Sequence, residues 1–255
     1  MPALETTLSA GQVADFRANG FLAVDRIASD EEVARLRDLY DEALAEASSG
    51  LTLTYRGERE DGSEGIITQV FGPEFKHPEL LETEYITNAR RWAAAMFDVA
   101  VDDVEVAGMM YIYKPAGEGR DTPWHQDEAY WAERSHLRCN SLSVWMPLDD
   151  VTVESGCMHY LPQSHTGDIL PHVKLPGPEP LHLDPPVDVS AAVPCPIPAG
   201  GATLHHCRTV HYGGTNISAV PRRAMTTIFH TPATERDVPI AKPWLDGGAV
   251  WADAQ

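Results

Sequence analysis

The chain has 255 residues, enough for one large domain or two small ones, and 43% of them are hydrophobic, which supplies a full core. Its 19 basic and 38 acidic residues give a formal net charge of −19, which repels phosphate backbones and argues against nucleic-acid binding. No apolar run is long enough to span a bilayer and the start lacks a signal-peptide pattern, so we expect a cytoplasmic protein without membrane association.

The first hundred residues are predicted to be mainly helical. Capping boxes of the Ser-x-x-Glu/Gln type begin at Ser9 and at Ser29, and each marks the start of a helix. Gly20 ends the first helix, and the apolar run at 21–24 predicts a short buried strand after it. A further helix is predicted to begin at about Thr87, a residue type that caps helix N-termini well.

From residue 105 onward, short β-prone segments replace the helices. The predicted strands are 106–113, 141–148, 202–206 and 224–230. Nine of the twenty prolines lie within 165–198, which predicts a long irregular loop instead of a strand pair. We therefore expect one domain over residues 1–255, with a helical part at about 9–100 and a β core at about 105–232.

A candidate metal site begins with the segment Trp-His-Gln-Asp at 124–127. Because strand side chains alternate, His125 and Asp127 point the same way and can reach one ion. The third ligand must come from elsewhere, and His211 is the best candidate, with His205 and His206 as competitors. Two histidines and one carboxylate on one face of an ion form the facial triad of non-haem Fe(II) oxygenases.

A second constraint comes from the arginines that follow the last histidine. Arg222 lies eleven residues after His211, beyond a turn that can bring the chain back antiparallel. A guanidinium placed in the same cavity would pair with a carboxylate through two hydrogen bonds. Since neighbours in a strand point to opposite faces, one residue of the Arg222–Arg223 pair is expected on the surface.

Together these residues resemble the phytanoyl-CoA dioxygenase family of Fe(II)/2-oxoglutarate oxygenases. The resemblance runs in order from about residue 9 to residue 231. The matching segments are MYIYKP at 110–115, WHQD at 124–127, SLSVWMPLD at 141–149, GCMHYLPQSH at 156–165 and HCRTVH at 206–211. It implies a mainly β protein with flanking helices, whose core is a double-stranded β-helix, a cupin-like jelly roll.

The resemblance also implies an Fe(II) ion held by His125, Asp127 and His211. The cosubstrates would be 2-oxoglutarate and O2, and the products would include succinate and CO2. Related halogenases carry a small residue in place of the carboxylate. The intact Asp127 therefore favours hydroxylation of a C–H bond.

For 2-oxoglutarate, the resemblance assigns the distal carboxylate to Arg222 and places Trp145 and Met110 along the pocket. The alternation of 141–148 puts Ser143 on the same face as Trp145. A serine that often contacts the cosubstrate, two residues after the last histidine, is replaced by glycine in this chain. Ser218 is a candidate for the missing hydrogen bond.

The substrate is expected to be a small molecule, such as a natural-product or amino-acid-like metabolite. A coenzyme A thioester would need basic residues for its phosphates, and the chain has few. Monomer and homodimer are both compatible with the sequence. The predicted substrate walls are the segments 50–80 and 165–198, and the predicted substrate contacts are Gln69, Gln126, Tyr130 and Trp131.

Three other functions remain open. The same cofactors could carry out desaturation, epimerisation or ring formation, all of which begin with hydrogen abstraction. A jelly-roll protein could instead hold zinc as a non-redox hydrolase or isomerase, although it would not need Arg222. A catalytically silent binding module is the third, although its triad need not be intact.

Overall fold

The computed structural model describes residues 3–45, 52–58, 62–175 and 179–245. The α-helices in these ranges are α1 (Ala10–Asn19), α2 (Asp30–Ala45) and α3 (Glu84–Phe97). The strands are β1 (Phe21–Val24), β2 (Thr52–Glu58), β3 (Glu64–Phe71), β4 (Glu105–Lys114), β5 (Thr122–His125), β6 (Leu137–Arg138), β7 (Ser141–Pro147), β8 (Met158–Tyr160), β9 (His172–Val173), β10 (His182–Leu183), β11 (Val193–Cys195), β12 (Ala202–His206), β13 (His211–Gly213), β14 (Arg222–His230) and β15 (Thr234–Glu235). None of the described helices is long and apolar enough to cross a membrane.

Two antiparallel sheets organise the described part of the chain. The larger sheet has the strand order β1-β12-β7-β14-β4-β3-β2, and the smaller has the order β11-β8-β13-β5. The sheets pack against each other through a shared apolar cluster, to which the larger sheet contributes Trp145 and Ala224 and the smaller contributes Met158 and Tyr160. The protein is therefore mainly β, with few helices.

The larger sheet carries the helices on its other face. Leu142, Val144 and Met146 belong to the main apolar core, together with buried side chains of α2 and α3. Ser143 and Trp145 alternate with them along β7 and line a cavity between the two sheets. This arrangement confirms the predicted alternation in 141–148, because one face of β7 packs on helices and the other faces the cavity.

The capping of α1 is as predicted, whereas the second capping box is divided between two helices. Ser29 Oγ accepts a hydrogen bond from the Glu32 N–H (3.2 Å). The Glu32 carboxylate, however, accepts from the N–H groups of Glu84 (2.6 Å) and Tyr85 (2.8 Å). The Ser29 N–H donates to Glu84 Oε2 (2.9 Å) instead. The side chain that would have closed the box at α2 therefore caps α3.

The predicted start of α3 at about Thr87 is wrong. The helix begins at Glu84, one turn earlier, and Thr83 is its N-cap, with Oγ1 accepting from the Ile86 N–H (3.3 Å). Both threonines are plausible caps in the sequence. The structure uses Thr83, where the buried start of the helix meets the Glu32 carboxylate.

The mainly helical interpretation of the first hundred residues is also incomplete. Strands β2 and β3 form an antiparallel hairpin that extends the larger sheet beyond β4. This hairpin carries Tyr55, Gln69 and Phe71 to the wall of a cavity. Residues 50–51 and 59–61 of the predicted substrate segment lie outside the described residues.

The proline-rich segment 165–198 contains short strands that the sequence did not reveal. β9 pairs with β10, and β11 pairs with β8 at the edge of the smaller sheet. Each has only two or three residues, too few for an alternating pattern to be visible. The rest of the described segment is irregular, as predicted, and residues 176–178 lie outside the described ranges. The strand predicted at 202–206 is confirmed.

Candidate metal and cosubstrate site

Strand pairing brings the three predicted ligands together between the sheets. His125 ends β5 and lies opposite His211, which begins β13, and Asp127 follows β5 by two residues. The Asp127 Oδ1 atom lies 3.7 Å from His125 Nε2 and 3.5 Å from His211 Nε2. One ligand atom from each of the three residues lies within 4.8 Å of the other two. The described residues thus offer a facial set of two imidazoles and one carboxylate.

Both histidines are oriented by backbone carbonyls. His125 Nδ1 lies 2.7 Å from the Pro123 carbonyl oxygen, and His211 Nδ1 lies 2.9 Å from that of Thr209. Each Nδ1–H therefore donates to the backbone and leaves the Nε2 lone pair directed at the common point. Burial, with the neighbouring His125 and His205, holds the pKa of His211 well below its usual range. The ring is therefore neutral, as a metal ligand must be.

The carboxylate of Asp127 is ionised and held in place. Burial alone would raise its pKa, but its interactions with His211, His125 and His205 outweigh this effect and hold the pKa well below its usual range. Its Oδ2 accepts hydrogen bonds from Ser143 Oγ and from His205 Nε2 (3.1 Å). A neutral imidazole and a charged carboxylate are ligand states that fit Fe(II).

The two histidines that competed for the third ligand position have different surroundings. His205 and His206 are neighbours in β12 and point to opposite faces. His205 lies at the site but bonds the Asp127 carboxylate. His206 packs instead against the rings of Phe97 (5.8 Å) and His165 (5.5 Å), away from the cavity. Neither belongs to the set of three ligand atoms in the described structure.

An inner cavity of about 100 Å³ lies beside the three ligands. Arg222 is 2% exposed, and its guanidinium carbon lies 5.3 Å from the ring centroid of Trp145. Arg222 Nε and Trp145 Nε1 are buried donors without a hydrogen-bond partner among the described residues. Burial lowers the pKa of Arg222 to about 10, so the side chain is charged at neutral pH. A charged donor next to a second unsatisfied donor fits a carboxylate such as that of 2-oxoglutarate.

Met110 lines the inner cavity, and a buried lysine that was not predicted lies nearby, since a Cβ on the cavity residue Gly213 would be 3.4 Å from Lys114 Nζ. Lys114 is fully buried, and its Nζ donates to the carbonyl oxygens of Gly213 (2.9 Å) and Gly214 (2.6 Å). Burial and the charge of Arg222 hold the pKa of Lys114 well below its usual range. The period-two spacing of Met110 and Lys114 on β4 is a signal that could have identified it.

The structure explains how the glycine after the last histidine is accommodated. A Cβ atom on Gly213 would lie 3.2 Å from Thr122 Oγ1 and 3.4 Å from Lys114 Nζ, so other polar groups line that space. Ser218 does not compensate, because it lies outside the inner cavity and its hydroxyl donates to Asn216 Oδ1 (2.7 Å). The prediction of a cosubstrate contact for Ser218 is therefore corrected to a role in shaping the turn.

An outer cavity of about 220 Å³ is also lined by His125 and Asp127. Gln69 and Thr122 line both cavities, so the two spaces meet at the candidate metal site. Tyr130 and Trp131, two of the predicted substrate contacts, line the outer cavity. The Tyr130 ring stands at 89° to the His125 ring at 5.7 Å, and its hydroxyl accepts from the Leu181 N–H (2.9 Å).

Gln126 lies outside both cavities. Its side chain is fully buried, its Nε2 donates to the Arg208 carbonyl oxygen (2.6 Å), and its Oε1 accepts from the Leu170 N–H (2.7 Å). Its backbone N–H donates to His172 Nε2 (3.1 Å). The predicted substrate contact does not fit this geometry, since the amide is used to fasten the loop at Leu170 beside the ligands.

Known proteins resemble this chain over most of its length. A family model described as phytanoyl-CoA dioxygenase (PhyH) matches residues 16–224. Among curated proteins, phytanoyl-CoA dioxygenase domain-containing protein 1 of Bos taurus is 30% identical over 151 residues, covering 57% of this chain and 50% of the relative. The chain thus spans about half the length of this relative.

Two solved structures are similar over almost the whole chain. EvdO2 from Micromonospora carbonacea var. aurantiaca, complexed with 2-oxoglutarate, has a TM-score of 0.80 and 35% identity, covering 96% of this chain and 99% of EvdO2. The non-heme alpha ketoglutarate dependent carbocyclase SnoK from nogalamycin biosynthesis has a TM-score of 0.67 and 26% identity, covering 92% of this chain and 89% of SnoK. The similarity therefore extends through both sheets.

Proposed function

Because the chain belongs to the phytanoyl-CoA dioxygenase family, we propose that it is an Fe(II)- and 2-oxoglutarate-dependent dioxygenase that hydroxylates a C–H bond of a small molecule. The observation that carries this proposal is a facial set of His125, Asp127 and His211 beside two buried unpartnered donors, Arg222 Nε and Trp145 Nε1. Succinate and CO2 would be released with the oxidised product.

The strand order supports a double-stranded β-helix as the core. Eight strands, taken in chain order, are β4, β5, β7, β8, β11, β12, β13 and β14. The first, third, sixth and eighth lie in the larger sheet in the order β12-β7-β14-β4, and the others form β11-β8-β13-β5. Antiparallel strands that are divided in this way between two packed sheets are typical of a jelly roll.

The inner cavity would hold 2-oxoglutarate. Arg222 and Trp145 would donate hydrogen bonds to its distal carboxylate, and Met110 would pack along its chain. Lys114 lies opposite Arg222 in the pairing of β4 with β14, and its Nζ is held by the carbonyl oxygens of Gly213 and Gly214. When bound, the iron and 2-oxoglutarate supply the oxidising chemistry, while this chain orients them and excludes water.

The outer cavity would receive the substrate. Its wall is mainly apolar and aromatic, with Gln69 as a buried amide that can orient a polar group. Among the described residues, no Lys or Arg lines this cavity, so nothing there would pair with a phosphate or carboxylate. A small uncharged metabolite therefore fits better than a coenzyme A thioester.

Ring formation is a second candidate reaction. The similarity to SnoK, whose name gives it as a carbocyclase, favours this alternative because the same cofactors serve both reactions. The mass of the product distinguishes the two, since hydroxylation adds an oxygen atom whereas ring formation or desaturation removes two hydrogen atoms. A zinc hydrolase fits less well, because it would leave the Arg222 guanidinium without a function.

Succinate formation from 2-oxoglutarate tests the proposed activity. The protein would be incubated with 2-oxoglutarate, oxygen and either Fe(II) or Zn(II), and with a panel of small molecules in uncharged and anionic pairs. We expect succinate only with Fe(II) and stimulation only by uncharged members of the panel. Turnover supported by Zn(II), or an absence of succinate from iron-loaded protein across the panel, would contradict the proposal.

A further inference from the structure

Two side chains from neighbouring strands hold one oxygen of the Asp127 carboxylate. Ser143 on β7 lies directly opposite His205 on β12 in the strand register. Ser143 Oγ and His205 Nε2 both donate to Asp127 Oδ2, the latter at 3.1 Å. This pair of donors comes from the larger sheet, whereas the two candidate histidine ligands come from the smaller one.

The imidazole of His205 is fixed on its other side as well. His205 is 3% exposed, and its Nδ1 lies 3.3 Å from the hydroxyl of Tyr160 on β8. That hydroxyl donates to Thr203 Oγ1 (2.7 Å), and the Tyr160 ring stacks on Phe21 with centroids 4.9 Å apart. The His205 ring thus reaches from Tyr160 on the smaller sheet to Asp127, and its Nε2 carries the proton because an ionised carboxylate can only accept.

We propose that His205 is a positioning residue that, together with Ser143, restricts Asp127 to binding iron through Oδ1 alone. Oδ1 is the oxygen that faces His125 Nε2 and His211 Nε2, at 3.7 and 3.5 Å. With Oδ2 occupied by two donors, the carboxylate contributes a single ligand atom. Three coordination positions on the ion would then remain open for 2-oxoglutarate and O2. A carboxylate that bound through both oxygens would reduce the number of open positions.

This inference rests on the proposed function only for the presence of a metal at the three ligands. Metal affinity tests it independently of turnover. Binding of Mn(II) would be measured by calorimetry in wild type, His205→Phe and His205→Gln, with His206→Phe as the matched control. His206 is the adjacent residue on the same strand, also buried, but its ring lies on the opposite face against Phe97.

We expect His205→Phe to weaken Mn(II) binding about ten- to hundredfold, the range typical when a hydrogen-bond partner of a metal ligand is lost. His205→Gln should restore most of the affinity, because its amide N–H can donate to the same oxygen, and His206→Phe should bind as wild type does. The anaerobic visible spectrum of the Fe(II)–2-oxoglutarate complex should shift in His205→Phe and return in His205→Gln. A role in folding alone would lower the melting temperature of the apoprotein without changing either measurement.

Ser143→Ala provides a second approach if His205→Phe does not fold. Removing both donors should cost more than removing one, so we expect Mn(II) to bind more weakly to the double variant Ser143→Ala/His205→Ala than to Ser143→Ala. Wild-type affinity in His205→Phe, or an equal loss in His206→Phe, would overturn the proposal. If wild type itself binds no Mn(II), the proposed function fails rather than this inference alone.

Discussion

Two adjacent arginines of β14 are used in opposite ways. Arg222 points into the inner cavity, where its Nε has no partner among the described residues. Arg223 points outward and pairs with Asp149 (2.8 Å) and Asp41 (2.8 Å), and hydrogen bonds to both raise its pKa. One guanidinium is thus satisfied by the protein, whereas the other is available to a ligand.

Arg222→Ala should raise the apparent KM for 2-oxoglutarate at least about tenfold, because a charge-assisted hydrogen bond of about 1.5–3 kcal/mol is lost. The control is Arg223→Ala, which should leave that KM unchanged and lower the melting temperature instead. Steady-state succinate formation measures the KM. An equal KM increase in Arg223→Ala would contradict the assignment.

The metal ligands lead to a second prediction at this scale. His211→Ala should abolish measurable Mn(II) binding, because the two remaining ligands are too few to hold a transition metal well. Calorimetry of the apoprotein measures this effect. Unchanged affinity in His211→Ala would show that the metal, if bound, lies elsewhere.

The triad could be predicted from the sequence, whereas the groups that support it could not. His125 and Asp127 are two residues apart, so strand alternation alone puts them on one face. Ser143 and His205 come together only through the pairing of β7 with β12, which no local pattern reveals. Gln126 was predicted as a substrate contact, but alternation directs its amide away from the two ligands that flank it.

At the scale of elements, α2 and α3 are joined by the Glu32 carboxylate at the start of α3. Its two backbone donors, the N–H groups of Glu84 and Tyr85, would otherwise be unsatisfied at a helix N-terminus. Predicting this contact from sequence was not possible, since the Ser29 pattern indicates a box within α2. The choice between Thr83 and Thr87 as cap depends on the same contact between helices.

Glu32→Ala should destabilise the protein by about 1–3 kcal/mol, because it leaves two backbone donors without their acceptor. The matched control is Glu31→Ala, since Glu31 is the neighbouring acidic residue of the same helix turn and is exposed. Urea unfolding followed by circular dichroism measures both. Equal stability of the two variants would contradict the capping role.

A glycine fixes the contact between two turns near the inner cavity. Gly156 has φ +87°, and a Cβ on it would lie 2.4 Å from the Gly214 carbonyl oxygen. Gly117 has φ +68°, but a Cβ on it would meet no atom within 4 Å. A substitution at Gly117 therefore measures the cost of the backbone conformation without a steric clash. Gly117→Ala should cost about 1 kcal/mol. Gly156→Ala should lower the free energy of unfolding by clearly more than Gly117→Ala does in the same urea experiment. Equal losses would contradict the close contact between Gly156 and the Gly214 carbonyl oxygen.

The hairpin β2–β3 and the short strands β9, β10 and β11 were missed for a physical reason. The strands between 172 and 195 have two or three residues each and depend on pairing partners elsewhere in the chain. The hairpin forms because β3 finds β4 as a neighbour. Such pairing depends on tertiary context, which a local reading of propensity does not contain.

At the scale of the whole molecule, the candidate site joins the two sheets. The larger sheet contributes Trp145 and Arg222, and the smaller contributes His125 and His211. The chain as a whole carries a net charge of −19, but the inner cavity is lined by both an acidic group, the Asp127 carboxylate, and a basic one, the Arg222 guanidinium. Because the groups that would hold iron and 2-oxoglutarate come from both sheets, binding of the two should stabilise the whole fold.

Mn(II) and 2-oxoglutarate together should therefore raise the melting temperature. At about a hundred times the dissociation constant, binding stabilises by about 2.7 kcal/mol, which corresponds to a shift of several degrees for a chain of this length. Differential scanning calorimetry should show one transition that moves upward with ligand. The shift should vanish in His211→Ala, and a shift that persists in that variant would contradict the assigned site.

The central claim is that the three ligands and Arg222 assemble one Fe(II)–2-oxoglutarate site. The most direct measurement is anaerobic, with Fe(II) added to the apoprotein before 2-oxoglutarate while the visible spectrum is recorded. We predict a charge-transfer band that needs both additions, is absent in His211→Ala and requires more 2-oxoglutarate in Arg222→Ala. Bound iron without this band in the wild-type protein would contradict the claim and leave only the likeness of fold.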